Sequence, residues 1–280
     1  MISNILIYVD DINHIDDYRK AGVSAFLFAL ESYSVGYNTY TLEEIDKIDV
    51  SNKYVMINRV LDCESVDSLR DVLPKLTDVK GLVYEDIAVY NLVRDLGLNL
   101  EMIFYQNHFG TNCNSVNFWL DRVDSMFISN EITKEEIKNI VNNASKGVVL
   151  HLFGYNQVMY SRRKLLSNWS DFFEIDKKNT NVLTDRATKV KFRAMENEYG
   201  TVMYSDKIFN GKELLNLDKG GVTPLAVIND KDNKVTIIID KDLEDKKVLH
   251  HPNVINKTMS LEHKDLIKII EYTEHKYFIY

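Results

Sequence analysis

The chain has 280 residues, 45% of them hydrophobic, and carries 34 basic and 42 acidic side chains for a formal net charge of −8. That size and apolar content suit one large α/β domain, and three prolines with eleven glycines leave no room for a collagen-like or linker-type segment. The acidic balance argues against broad nucleic-acid or membrane affinity, although a local basic pocket stays open.

The elements alternate regularly from the N-terminus. The opening MISNILIYVDD has no basic start and soon carries acids, so no secretory signal is expected and the cytoplasm is the expected location. No apolar run reaches the roughly eighteen residues of a membrane span. ILIYV (5–9) reads as a strand before the amphipathic HIDDYRKAG (14–22), whose Gly22 suits a helix C-terminus. SAFLFAL (24–30) precedes a helix that starts at TLEEIDKI, where Thr41 and Glu44 have capping-box spacing. YVMINRV (54–60), GLVYED (81–86), LEMIFYQN (100–107) and SMFIS (125–129) each lead into a helical stretch, the last again boxed by Thr133 and Glu136. GVVLHLFG (147–154) is the seventh strand and GVTPLAVIN (221–229) the eighth, entered from GKELLNLDKGG.

These runs are continuously apolar, as in a parallel sheet buried on both faces. Eight strand–helix units predict a (β/α)8 TIM-like barrel, with 1–280 as one domain. A doubly wound open sheet is the rival, but the first loop, DDINH, lacks its usual glycines. One region breaks the rhythm: 188–211 reads as a β-hairpin turning at Asn197–Gly200, making 155–211 an elaboration on the barrel rim between strands seven and eight. A β-like run at 234–240 and a helix near 260–274 close the chain.

A barrel works at the C-terminal ends of its strands. Those ends carry Arg59, Glu85 with Asp86, Asn107 with His108, Glu131, His151 and Tyr155. Glu85 and Glu131 are candidate general bases or ligands for a divalent metal, and His151 a candidate proton carrier. Against this, Asp86 is placed to cap the following helix, and His151 inside an apolar run suits a hydrogen-bonded core position. Arg162 and Arg163 follow a strand directly, and paired guanidiniums match carboxylate or phosphate oxygens. Their competing explanation is an ion pair to Glu196 or Glu198 of the hairpin. No P-loop, nucleophile elbow or GxGxxG occurs, and no metal site is assigned.

Four stretches, GLVYEDIAVYNLVRDLG (81–97), SNEITKEEI (129–137), HLFGYNQVMYSRRKLLSN (151–168) and ENEYGTVMYSDKIFNGKELL (196–215), resemble the U32 peptidases, or collagenase-like proteases, in that family's order. The resemblance implies a barrel-like fold and a hydrolase of peptide or other amide substrates. Arg162, Arg163, Tyr155, Asn107, Arg59 and Glu196 would then hold the substrate, while Glu131, Glu85 and His151 would serve catalysis. Some relatives bind an iron–sulfur cluster through two cysteines of the third stretch and support hydroxylation of quinone precursors or RNA bases. Those positions here are Gln157 and Lys164, while Cys63 and Cys113 lie elsewhere. A cluster is therefore not expected, and the likeness is to a short, cysteine-poor branch. The alternative expectation is an accessory ligand-binding barrel that supports a cluster-bearing U32-like partner.

Overall fold

Strands apolar on both faces need cover on both, and successive parallel pairing with helical crossovers supplies it. A computed structural model of the chain describes residues 5–106, 108–178, 180–210, 237–239, 246–250 and 259–279. Its elements run β1 (Leu6–Tyr8), α1 (Ile15–Lys20), β2 (Ala25–Leu30), β3 (Thr39–Tyr40), α2 (Leu42–Lys47), β4 (Lys53–Ile57) and α3 (Cys63–Val72). There follow β5 (Gly81–Tyr84), α4 (Ile87–Asp95), β6 (Glu101–Phe104), α5 (Cys113–Leu120), β7 (Ser125–Phe127), α6 (Lys134–Asn143) and β8 (Val148–Val149). The strand order is β1-β2-β4-β5-β6-β7-β8, with β3 added on β2, and among the described residues the pairings within this sheet are parallel.

One face of the sheet packs into a single cluster that includes Leu27 of β2, Met56 of β4, Val83 of β5 and Ile103 of β6, joined by Leu6 of β1 and Val149 of β8. This is the filled interior of a TIM-like α/β barrel, whose sheet forms a half-barrel from β1 to β8. The opposite face, with Phe28, Val55, Leu82 and Tyr84, is fully buried as well. Both expected capping boxes form, Thr41 with Glu44 and Thr133 with Glu136. Asp86 caps α4, accepting from the Ala88 amide at 2.9 Å.

After β8 the chain leaves this sheet. β9 (Phe153–Ser161), α7 (Leu165–Phe173), β10 (Thr180–Thr184), β11 (Lys191–Asn197) and β12 (Gly200–Asn210) build a second, four-stranded sheet in the order β10-β11-β12-β9. The hairpin turns where the sequence places it, with Asn197 opposite Gly200. Gly200 adopts φ +143°, and a side chain there would drive into the Ser161 carbonyl.

The chain packs as two compact units, Met1–Phe209 and Asn210–Tyr280, where the sequence reading expects one domain over 1–280. In the second unit β13 (Ile237–Ile239) pairs in parallel with β16 (Tyr277–Ile279), and β14 (Lys247–His250) runs antiparallel to β15 (Met259–Glu262). α8 (His263–Tyr272) buries Leu266 and Ile270 with Ile237 in that unit's own core. The expected eighth barrel strand at 221–229, and the helical stretch before it, lie outside the described residues. Among the described residues no helix is long and apolar enough to cross a membrane.

Candidate functional site

The C-terminal end of the barrel carries a roof. β9 touches the strand ends in reverse order. Asn156 accepts from Asn130, beyond β7, at 3.2 Å, and Gln157 accepts from the Tyr105 hydroxyl, just past β6, at 3.5 Å. Tyr160 lies in the electrostatic field of Glu85, past β5, and of Arg59, past β4. Arg162, beyond β9, bonds Asp62 at 2.9 Å. The hairpin completes the cover: Asn197 donates to the Ser34 carbonyl at 3.1 Å, and the Tyr204 hydroxyl donates to the Gly36 carbonyl at 2.9 Å. Gly36 has φ +79°, and a Cβ there would stand 2.5 Å from the Tyr204 oxygen, so only glycine permits this approach.

Glu85 sits beneath that roof. Its Oε1 accepts from Gln106 Nε2 at 3.3 Å, while its buried Oε2 has no hydrogen-bond partner among the described residues. Burial raises its pKa to about 7; the Gln106 bond opposes the rise and the Asp86 charge adds to it. A carboxyl titrating near neutrality can take up or release a proton at physiological pH. Tyrosines, Tyr204 buried and Tyr8 and Tyr37 partly so, gather at the same end. Tyr37 packs 4.7 Å from Tyr8 and 6.3 Å from Tyr204, ring to ring, and desolvation raises all three phenols.

Beside the roof lies a groove of about 410 Å³, lined by Ser32, Arg59, Asp62, Ser65, Arg162 and Tyr199 among others. Arg59 is buried, donates to the Ser32 carbonyl and to Ser65 Oγ, and stacks its guanidinium 4.0 Å from the Tyr199 ring centroid. Asp62 faces both guanidiniums, 3.7 Å from Arg59 and 2.9 Å from Arg162. Its carboxyl is held below the usual range, first by the Ser65 hydrogen bonds and then by the two arginines. The ion-pair explanation thus accounts for Arg162, through Asp62 rather than a hairpin acid.

The other expected residues separate. Arg163 is exposed and does not line the groove. Tyr155 lies under Arg193, whose guanidinium is 5.0 Å from the ring centroid. Glu131 is largely exposed and stands 3.8 Å from His108. His151 packs against Phe209 at 5.5 Å; burial lowers its pKa, a backbone hydrogen bond to Gly154 opposes this, and its Nε2 has no hydrogen-bond partner among the described residues. Asn107 lies outside the described residues.

Glu196 holds a helix instead of lining the groove. Its carboxylate accepts from the Leu166 and Ser167 amides at 2.7 and 3.0 Å, from Ser167 Oγ, and from Thr201 Oγ1 at 2.8 Å. Lys164, the N-cap of α7, contributes no side-chain cap, so a residue of β11 performs that role. Desolvation would raise the Glu196 pKa, but these hydrogen bonds outweigh it and the pKa is lowered.

Neither Gln157 nor Lys164 offers a thiolate, and Cys63 and Cys113 begin two different helices, α3 and α5. That donor set does not fit an iron–sulfur cluster held by the chain's own thiols. Among the described residues no group of three or more His, Cys, Asp or Glu side chains is placed to hold a metal ion.

Residues 11–219 match the family described as peptidase family U32, and residues 210–269 match an aminoacyl-tRNA editing domain. The chain is 24% identical over 203 residues to the tRNA hydroxylation protein P2 of Bacillus subtilis, covering 66% of each protein. It is 30% identical over 95 residues to the prolyl-tRNA editing protein ProX of Acetoanaerobium sticklandii, covering 32% of this chain and 56% of that protein. It therefore spans 66% and 56% of the lengths of these two curated relatives. A chitinase structure from Chromobacterium violaceum shares 10% identity at a TM-score of 0.35, over 81% of this chain and 90% of that one.

Proposed function

The chain belongs to peptidase family U32, and we propose that it acts on tRNA rather than on peptides. One observation carries this reading: the chain resembles two proteins named for tRNA, one for its hydroxylation and one for its editing, and residues 210–269 match an aminoacyl-tRNA editing domain. In this reading the barrel is a substrate-holding part of a tRNA-modifying system. Hydroxylation needs a redox centre, and Gln157 and Lys164 supply no thiolate for a cluster, so that centre would belong to a cluster-bearing U32-like partner. The chain's own contribution is binding and proton handling. Arg59 and Arg162 are the groove's cations, and Glu85 is the carboxyl under the roof with a pKa near neutrality. The net charge of −8 restricts such contacts to a local site and argues against broad RNA affinity.

Hydrolysis of a peptide or other amide is the second reading, and Glu85 favours it, because a carboxyl of pKa about 7 suits a general base that activates water. The two readings part on substrate. Fluorescence anisotropy of labelled tRNA with the full chain is expected to show saturable binding that weakens with salt. Arg162→Ala is expected to weaken it about three- to ten-fold. The same change should cost under about 1 kcal/mol of stability, since the pair with Asp62 is half-exposed. Wild-type protein without measurable tRNA binding, together with cleavage of unstructured peptides, would return the function to hydrolysis.

A further inference from the structure

The hydrophobic effect leaves few large aromatic side chains in water without a reason, and clustered ones mark contact surfaces. α7 presents such a cluster. Leu166 and Ser170 face inward, while Trp169, Phe172 and Phe173 are 47%, 79% and 56% exposed. Their spacing of three and four residues puts them on one helical face. The rings touch each other, Trp169 with Phe173 at 5.5 Å and Phe172 with Phe173 at 4.9 Å.

Charge says what would cover them. In a chain of net −8, the segment 162–178 that contains this helix holds five Lys and Arg against three Asp and Glu. Arg163 and Lys164 are exposed just before the helix and Lys178 just after it, while Lys177 folds back onto Asp171 at 2.9 Å. Apolar rings with the exposed cations Arg163 and Lys164 at the N-terminal end of their helix match unpaired nucleotides, whose bases stack on the rings while their phosphates meet those cations. The other end, with Asp171, Glu174 and Asp176 against Lys177 and Lys178, offers no such site. A protein partner would find the rings but gain little from this flanking charge.

We propose that the exposed face of α7, formed by Trp169, Phe172 and Phe173, is a stacking platform for unpaired nucleotides of tRNA. Arg163 and Lys164 hold the adjoining phosphates. This assignment rests on the reading that the chain acts on tRNA. It adds a contact surface separate from the groove of Arg59 and Arg162. It also gives Arg163 a role that the groove does not.

The test uses the full chain and labelled tRNA. Binding of wild-type protein is expected to quench Trp169 fluorescence, a signal that Trp169→Phe removes while binding persists. Phe172→Ala with Phe173→Ala should weaken binding roughly ten-fold or more. Because both rings are exposed, the double variant keeps its fold, and an unchanged melting temperature verifies this. Arg163→Ala with Lys164→Ala should lessen the dependence of binding on salt. Unchanged tRNA affinity in the Phe172 and Phe173 variant overturns the platform and leaves the tRNA reading standing. The same unchanged affinity, joined to conversion of a wild-type dimer into monomers, assigns the face to a second copy of the chain. No tRNA binding by wild-type protein overturns both.

Discussion

Replacing Glu196 by alanine is expected to lower stability by roughly 3–4 kcal/mol. The carboxylate is buried and accepts from two α7 amides, Ser167 Oγ and Thr201 Oγ1. Alanine strands those donors in a place that water reaches poorly, and α7 has no side-chain cap of its own to substitute. A cap alone contributes about 1 kcal/mol; the buried, charged, four-bonded form raises this several-fold. For a unit of this size the melting temperature should fall by about 6–15 °C. Glu196→Gln keeps one acceptor oxygen but turns an amide toward the donors, so it should cost roughly half as much. The sign with pH is fixed by the lowered carboxyl pKa. The stabilisation is present above the unfolded value and is lost as pH falls through the folded one. Wild type and Glu196→Ala should therefore converge in acid, and thermal melts across pH 3–7 would show it. Equal melting temperatures at neutral pH would remove the cap from the account.

Glu85→Gln is expected to act in the opposite direction. Burial raises the Glu85 pKa from 4.5 to about 7, so the folded state prefers the protonated acid. Between those two values the unfolded chain ionises first, and stability declines as pH rises. Well above 7 the cost reaches its full size, on the order of 3 kcal/mol. Glutamine keeps the shape and an oxygen for Gln106 while removing the ionisation. The variant should melt about 5–10 °C above wild type at pH 8 and close to it at pH 4.5. A stabilising change at a candidate proton-handling residue is what a functional site under strain predicts. A pH-independent difference, or a loss of stability at pH 8, would show that Glu85 is not held neutral by its surroundings.

These two acids show what could be read in the sequence. Seven apolar runs became strands β1, β2 and β4 to β8, and the hairpin turned at Asn197–Gly200, because continuous hydrophobicity and a local turn are encoded by neighbours in the chain. Glu85 was visible as a polar residue ending a buried strand. β9 was not, since FGYNQVMYS mixes apolar and polar side chains and buries them only in part. An elaboration on the rim over 155–211 is legible in the sequence, but β9 within it is not, and with β9 goes the contact over the strand ends that helps bury Glu85. The partner of Arg162 is Asp62, a hundred residues earlier, and no spacing rule connects them. Glu196 caps a helix thirty residues earlier in sequence, which local capping patterns cannot reveal. Glu131 and His151 shared with Glu85 only their place at strand ends. The fold leaves Glu131 largely in solvent beside His108, and His151 against Phe209.

The proposal that the chain acts on tRNA is tested most directly in cells, by nucleoside mass spectrometry of tRNA from a host lacking this chain. The prediction is loss of a hydroxylated nucleoside, restored by the wild-type chain and not by Glu85→Gln at a matched protein level. An unchanged nucleoside profile in the deletion would contradict it.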